Sequence, residues 1–377
     1  MKRTAPIIFI FLGISAGLLV GELVLRLSLP RSHWEFWDAA DDWKSDDELG
    51  WVNSPSIRIT TQSSFGWEVN FETNPDGILP QHAKRPRNRS ITRIILMGDS
   101  TTLGRAVPED KRLHSVLQKI FAREGRQVEV LNAAVQGYAT DQSLLLMKRL
   151  LPLYNPDIVI YTFCLNDLSD NHLSTAFGSP KPRFVQQENG LQYIPAAMNL
   201  NKKLVCGPQG LSRWLRFSAL YQYVRPHYFR LCRKLGIGTE PLWQPEMSEV
   251  FSKIGADPRW QLLGSLLTEM QNVAKLHHAR FLLYAHPDVS EVWKPAIDWA
   301  IEQYNRTPLQ YDRFVFEKKL QSIAASNQIK FCPHVAHFTA NEQKGPFHLL
   351  PRDPHCNAVG YALSADLLHR CLSTAFH

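Results

Sequence analysis

Leu96-Met97-Gly98-Asp99-Ser100-Thr101-Thr102-Leu103-Gly104 follows directly on the apolar run Arg93-Ile94-Ile95-Leu96. The run has the length and composition of a buried strand, and the chain leaves it through Gly-Asp-Ser-Thr-Thr. A serine at such a turn can cap a helix, cradle a phosphate or seat a nucleophile. The backbone N–H groups left unpaired at a following helix start would stabilise an oxyanion.

Working outward, the pattern alternates from residue 91 onward. Short apolar runs at 92–97, 128–132, 158–163, 280–285 and 329–332 read as strands. Amphipathic stretches at 111–124, 140–151, 260–278, 312–327 and 358–371 read as helices. Such alternation implies an α/β fold, a parallel sheet with helices on both faces, whose ligands bind at the carboxyl ends of the strands. The alternation is interrupted between about 172 and 255. Within that insert, residues 201–235 hold eight Lys/Arg and no Asp/Glu, interleaved with Trp214, Phe217, Tyr221, Tyr223 and Tyr228. This reads as a helical cap over the site, either packed inward with a basic solvated face or facing an anionic lipid or glycan.

Upstream, Ala5–Gly21 is an uncharged apolar stretch of 17 residues behind Lys2 and Arg3. It reads as an N-terminal membrane anchor spanning 1–30; a cleaved signal peptide and a buried helix are the alternatives. Glu22 and Arg26, four apart, are expected to pair on one helix face. Residues 31–50 read as an acidic spacer and 51–90 as a small β-rich lead-in with a turn at Asn74-Pro75-Asp76-Gly77. The third segment, 91–377, is the α/β domain with its insert. An anchor places the body outside the cytoplasm, in the periplasm, where its six cysteines meet an oxidising compartment. Cys206 and Cys232 flank one helical stretch and are a plausible disulfide; free buried thiols are equally compatible with the spacing.

The 377 residues are 44% apolar and 20% charged, which excludes wholesale disorder. A net charge of +7 is modest at this length, and nucleic acid is not expected as a partner.

A nucleophilic serine needs a base and an orienting carboxylate. Residues 351–363, Pro-Arg-Asp-Pro-His-Cys-Asn-Ala-Val-Gly-Tyr-Ala-Leu, offer Asp353 and His355 in one loop before a helix. Two other strand ends supply donors: Gly137, whose missing side chain admits a backbone N–H to substrate, and Asn166, whose amide can donate. A Gly-x-Ser-x-Gly match at Gly13–Gly17 lies inside the apolar stretch, where no triad can form. Cys332, His334 and His337 have metal-like spacing but lack a fourth ligand, so no metal and no cofactor are expected. His277, His278 and His286 read as surface or strand-end residues.

Gly98-Asp99-Ser100, Gly137, Asn166-Asp167 and Asp353-Pro354-His355, in that order, resemble the four motif blocks of the SGNH (GDSL-type) hydrolase superfamily, and in particular its bacterial membrane-anchored members. The resemblance covers residues 90–172 and 350–371. It implies a three-layer α/β/α fold with a five-stranded parallel sheet and a serine esterase that needs no metal. It further implies that Ser100 is the nucleophile, His355 the general base and Asp353 its orienting partner. The oxyanion hole would be the Ser100 N–H, the Gly137 N–H and the Asn166 side chain. The chain departs from the pattern at Cys164, where glycine is usual, in the two-residue spacing of Asp353 and His355, and at Cys356. The expected substrate is an acyl ester, with O-acetyl groups, glycan or lipid as its setting. Acyl transfer to an envelope glycan and a catalytically silent envelope binding protein are the competing readings.

Overall fold

The computed structural model describes residues 5–28, 43–62, 68–85, 90–176, 179–196, 218–221, 223–224, 258–294, 297–298, 312–349 and 355–373. The chain divides into two compact units.

The first unit comprises 1–39, 61–68 and 199–244. Its long helix α1 (Ala5–Ser28) carries the expected i,i+4 pair, with Arg26 Nε 2.6 Å from Glu22 Oε1. Glu22 does more than pair. Its carboxylate accepts from Ser218 Oγ at 2.7 Å and from the N–H groups of Ala219 and Leu220, both at 2.9 Å. It thereby satisfies backbone donors at the start of a short helical stretch. The anchor expectation finds no support: among the described residues, no helix is long and apolar enough to cross a membrane.

The second unit comprises 40–60, 69–198 and 245–377. It opens with the antiparallel hairpin β1 (Trp43–Asp46) and β2 (Gly50–Asn53). Residues 43–50 are therefore folded rather than spacer. Arg149 holds Asp46 at 2.6 Å and Glu48 at 2.7 Å, while Leu49 is buried in the main core. Strands β3 (Arg58–Gln62) and β4 (Glu68–Glu72) follow. The expected turn at Asn74–Gly77 forms: Asn74 Oδ1 accepts from the N–H groups of Asp76 and Ile78, and Gly77 adopts φ 77°.

The central sheet contains β5 (Thr92–Met97), β6 (Val128–Asn132) and β7 (Ile158–Phe163). Four short strands come next, β8 (Thr175–Ala176), β9 (Ser179–Pro180), β10 (Arg183–Gln187) and β11 (Gly190–Ile194). They pair as two antiparallel hairpins, so the described start of the insert is strand. The segments 197–217 and 225–257, with most of the expected helical cap, lie outside the described residues, as do Cys206 and Cys232. The sheet is completed by β12 (Arg280–Ala285) and β13 (Lys330–Cys332).

The sheet order is β13-β12-β7-β5-β6, all parallel. The strand order reverses between β5 and β7, and such a switch point opens a crevice at the carboxyl edge. The helices are α2 (Ser100–Leu103), α3 (Leu113–Arg123), α4 (Thr140–Tyr154), α5 (Asp167–Asp170), α6 (Pro258–Leu276), α7 (Val289–Val292), α8 (Val315–Ser326), α9 (Val335–Thr339) and α10 (Ala358–Ser373). On one face α3 packs against α10, and on the other α4 packs against α6. With helices on both faces, the central strands carry continuous apolar runs, Ile94–Met97 in β5 and Phe281–Ala285 in β12, rather than alternating. Every residue of β7 is buried. The expected three-layer α/β/α arrangement with five parallel strands is thus the one observed.

One disulfide occurs among the described cysteines, joining Cys332 at the end of β13 to Cys371 near the end of α10. The spacing of the sequence does not reveal this pair. It also removes Cys332 as a metal ligand.

Candidate active site

The site forms where β5, β6, β7 and β12 end. β5 leaves the sheet through Gly98, and only glycine fits: a Cβ would lie 2.3 Å from Thr162 Oγ1 and 2.4 Å from Thr102 Oγ1. Asp99 then caps α2, accepting from the Thr101 N–H at 2.8 Å. This fixes Ser100 at the first turn of α2, partly exposed at the sheet edge.

Across the crevice, His355 Nε2 lies 2.8 Å from Ser100 Oγ. Several bonds place that imidazole. The Leu349 N–H donates to the His355 carbonyl at 2.9 Å, and the Asn357 N–H donates to the Phe347 carbonyl at 2.9 Å. The Asn357 amide also holds the Pro346 and His348 carbonyls, while its Oδ1 accepts from the N–H groups of Val359 and Gly360 at the start of α10. One asparagine thus ties the histidine loop to its helix. From α10, Tyr361 reaches back and donates to the Thr101 carbonyl at 2.7 Å, linking the histidine helix to the serine helix. Asp353 lies outside the described residues.

Asn166 sits at the end of β7, in the turn before α5, and donates through Nδ2 to Asp170 Oδ2 at 2.8 Å. Its side chain is also hydrogen-bonded to Asp99. Burial pushes the carboxyls of Asp99, Asp167 and Asp170 above the usual range, with mutual repulsion adding to the effect on Asp167 and Asp170. Tyr161 donates to Asp167 Oδ2, and the Cys164 N–H lies 3.3 Å from that oxygen. Cys164 is partly buried, and burial followed by the Asp99 and Asp167 charges pushes its thiol up, so it is no thiolate nucleophile.

Gly137 adopts φ 73° in the loop after β6. That loop is pulled toward the serine turn, because the Ala133 N–H donates to the Leu96 carbonyl and the Val135 N–H to the Gly98 carbonyl. Asn132 finishes the arrangement, donating from Nδ2 to the Thr102 carbonyl at 2.9 Å.

The structure therefore brings Ser100 and His355 into contact and sets Asn166 and the Gly137 loop at the same sheet edge. It also contains a residue whose part in the site sequence reading missed. His286, directly after β12, is buried, with Nε2 3.2 Å from Thr102 Oγ1. Thr102 is in turn hydrogen-bonded to Thr162, which donates to the Met97 carbonyl at 2.8 Å. Its signal was its position, since a polar residue ending an otherwise apolar strand at the carboxyl edge faces the crevice. Burial first, and then the positive charges available to His334, His348 and His355, lower its pKa to about 3, so His286 is neutral beneath the site.

A GDSL-like lipase/acylhydrolase family model matches residues 96–363, from the end of β5 into α10. An arylesterase of Vibrio mimicus is 29% identical over 75 residues, a stretch covering 20% of this chain and 38% of that protein. Among solved structures, the psychrotrophic esterase EstA from Pseudoalteromonas sp. is similar at 12% identity and a TM-score of 0.39, covering 76% of this chain and 98% of that one. The lipase/acylhydrolase from Enterococcus faecalis gives 14% identity and a TM-score of 0.37, covering 76% and 97%. With the family pattern running through the serine turn and into the helix behind the histidine, the chain belongs to the GDSL-like lipase/acylhydrolase family.

Proposed function

We propose that the chain hydrolyses acyl esters, O-acetyl esters among them, through an acyl-enzyme on Ser100. The observation that carries this reading is the 2.8 Å contact between Ser100 Oγ and His355 Nε2. A hydroxyl is a weak nucleophile until a base within hydrogen-bond reach takes its proton. In this scheme Ser100 Oγ attacks the ester carbonyl as its proton passes to His355 Nε2. The tetrahedral intermediate collapses, and His355 returns the proton to the departing alcohol. Water, deprotonated by His355, then attacks the acyl-enzyme and releases the acid and free Ser100.

The oxyanion formed in each half-reaction is assigned to the Ser100 N–H, the Gly137 N–H and the Asn166 amide. Asn166 is held between two carboxylates, so donating to the oxyanion requires one of its N–H groups to turn from Asp99 or Asp170. Asp353 is assigned the orientation of His355. The Cys332–Cys371 disulfide supports an oxidising, extracytoplasmic setting. The arylesterase similarity makes aryl acetates the first substrates to offer.

The test is fluorophosphonate labelling of the full chain, with Ser100→Ala and His355→Ala beside it. Labelling and p-nitrophenyl acetate hydrolysis are expected in the wild type and lost in both variants. A folded wild type that neither labels nor turns over ester would sink the reading.

A further inference from the structure

The proposed site asks the Gly137 N–H to donate to an oxyanion, and the direction of that bond is set from outside the residues that the family pattern spans. The N–H of Gly137 belongs to the same planar peptide as the carbonyl of Gln136, and in a trans peptide the two point in opposite directions. Fixing one therefore fixes the other. The Gln136 carbonyl accepts from Trp51 Nε1 at 2.9 Å.

Trp51 lies in β2, in the N-terminal lead-in, and is 2% exposed. Its ring packs edge-on against Tyr138, with centroids 5.7 Å apart, and Tyr138 Oη donates back to the Trp51 carbonyl. Two residues on, Asn53 Nδ2 donates to the Ala134 carbonyl at 2.9 Å and to the Gly77 carbonyl at 3.0 Å. Gly137 is thus flanked by loop residues on both sides that are bonded to β2. A glycine at φ 73° has the widest conformational choice of any residue, so its peptide needs such external restraint to hold one direction.

We propose that Trp51 is a positioning residue for the ester hydrolysis: its indole N–H holds the Gln136–Gly137 peptide so that the Gly137 N–H is aimed at the oxyanion, with Asn53 holding the base of the same loop. This rests on the reading of Gly137 as an oxyanion donor. It makes the lead-in strand part of the catalytic apparatus without touching substrate.

Trp51→Phe keeps a buried aromatic ring and removes the donor. Its kcat on p-nitrophenyl acetate is expected to fall roughly tenfold to a hundredfold, less than outright loss of an oxyanion donor, with KM changed less than about twofold. A thionoester reports the cause, because sulfur is a poor hydrogen-bond acceptor and gains little from an aimed N–H. The ratio of oxoester to thionoester turnover is expected to fall with kcat. If kcat falls while that ratio stays at the wild-type value, Trp51 is merely structural and the proposal is overturned, as it is by unchanged kcat. Should Trp51→Phe fail to fold, Asn53→Ser, which releases the Ala134 carbonyl, carries the same expectation and the same reversal. Failure of the parent reading looks different: hydrolysis absent from the wild type, or surviving in Ser100→Ala, overturns both.

Discussion

His286 shows how a single side chain couples the site to pH. Its folded pKa of about 3 lies below the value near 6.5 of an exposed histidine. Between those values the unfolded chain binds a proton that the folded chain refuses. Its contribution to stability is therefore complete above about pH 6.5 and lost as pH falls toward 3. At about 1.4 kcal/mol per pH unit, the loss is about 5 kcal/mol at most. His286→Gln, which keeps a donor for Thr102, is expected to shallow the acid decline in Tm between pH 6.5 and 4. A decline identical to the wild type would show that His286 does not drive it. Asn166 makes a different, catalytic prediction. Asn166→Ala removes one assigned oxyanion donor and should lower kcat by roughly a hundred- to a thousandfold at temperatures where the variant remains folded. Unimpaired turnover would remove Asn166 from the oxyanion hole.

At the scale of elements, α10 is fastened at both ends by different chemistry. Asn357 and Tyr361 tie its start to the histidine loop and to Thr101, while Cys371 ties its end to Cys332 of β13. The disulfide closes a sequence separation of 39 residues, for which chain entropy implies about 4 kcal/mol of stabilisation. Cys332→Ser with Cys371→Ser should lower Tm by several degrees, and reducing agent should lower the wild type similarly, while kcat well below the transition stays near wild type because the site end of α10 is held separately. Equal Tm for variant and wild type under oxidising conditions would show the bond to be without weight. Sequence reading located these elements well, and the cause is physical. β5, β7 and β12 are short, largely buried apolar runs, so their apolar boundaries nearly coincide with their strand ends. Ser100, Gly137, Asn166 and His355 each stand just past a strand or before a helix, where the pattern breaks. What stayed hidden depends on contacts between distant segments: Cys332 with Cys371, Trp51 with Gln136, and Lys181 with Asp141, a fully buried ion pair joining the β9–β10 connection to α4. None of these pairs leaves a periodicity in the chain.

At the scale of the whole second unit, the lead-in and the α/β layers share one interior. Leu49, Trp51 and Val52 belong to the same buried cluster as Leu146 of α4, Leu263 of α6 and Leu283 of β12. Phe71 and Leu79 are buried with Leu103 of the serine helix and Ala134 of the Gly137 loop. Leu79 also extends the sheet, exchanging backbone hydrogen bonds with Asn132 at the free edge of β6. Arg112, buried at the start of α3, donates to the Asn70 carbonyl at 2.6 Å. A chain beginning at residue 91 would keep every motif residue of the site, yet it would strip these partners away. It would expose apolar surface on β6, α2 and α4 and leave a buried guanidinium short of an acceptor. At about 1.5–3 kcal/mol for each large apolar side chain lost from the core, five such losses reach the whole stability of a typical domain, about 5–15 kcal/mol. Such a chain is therefore expected to lack a cooperative thermal transition and to fail to label with fluorophosphonate. A sharp transition with labelling intact would mean that the sheet and its flanking helices form a self-sufficient core, and that β2 only decorates it.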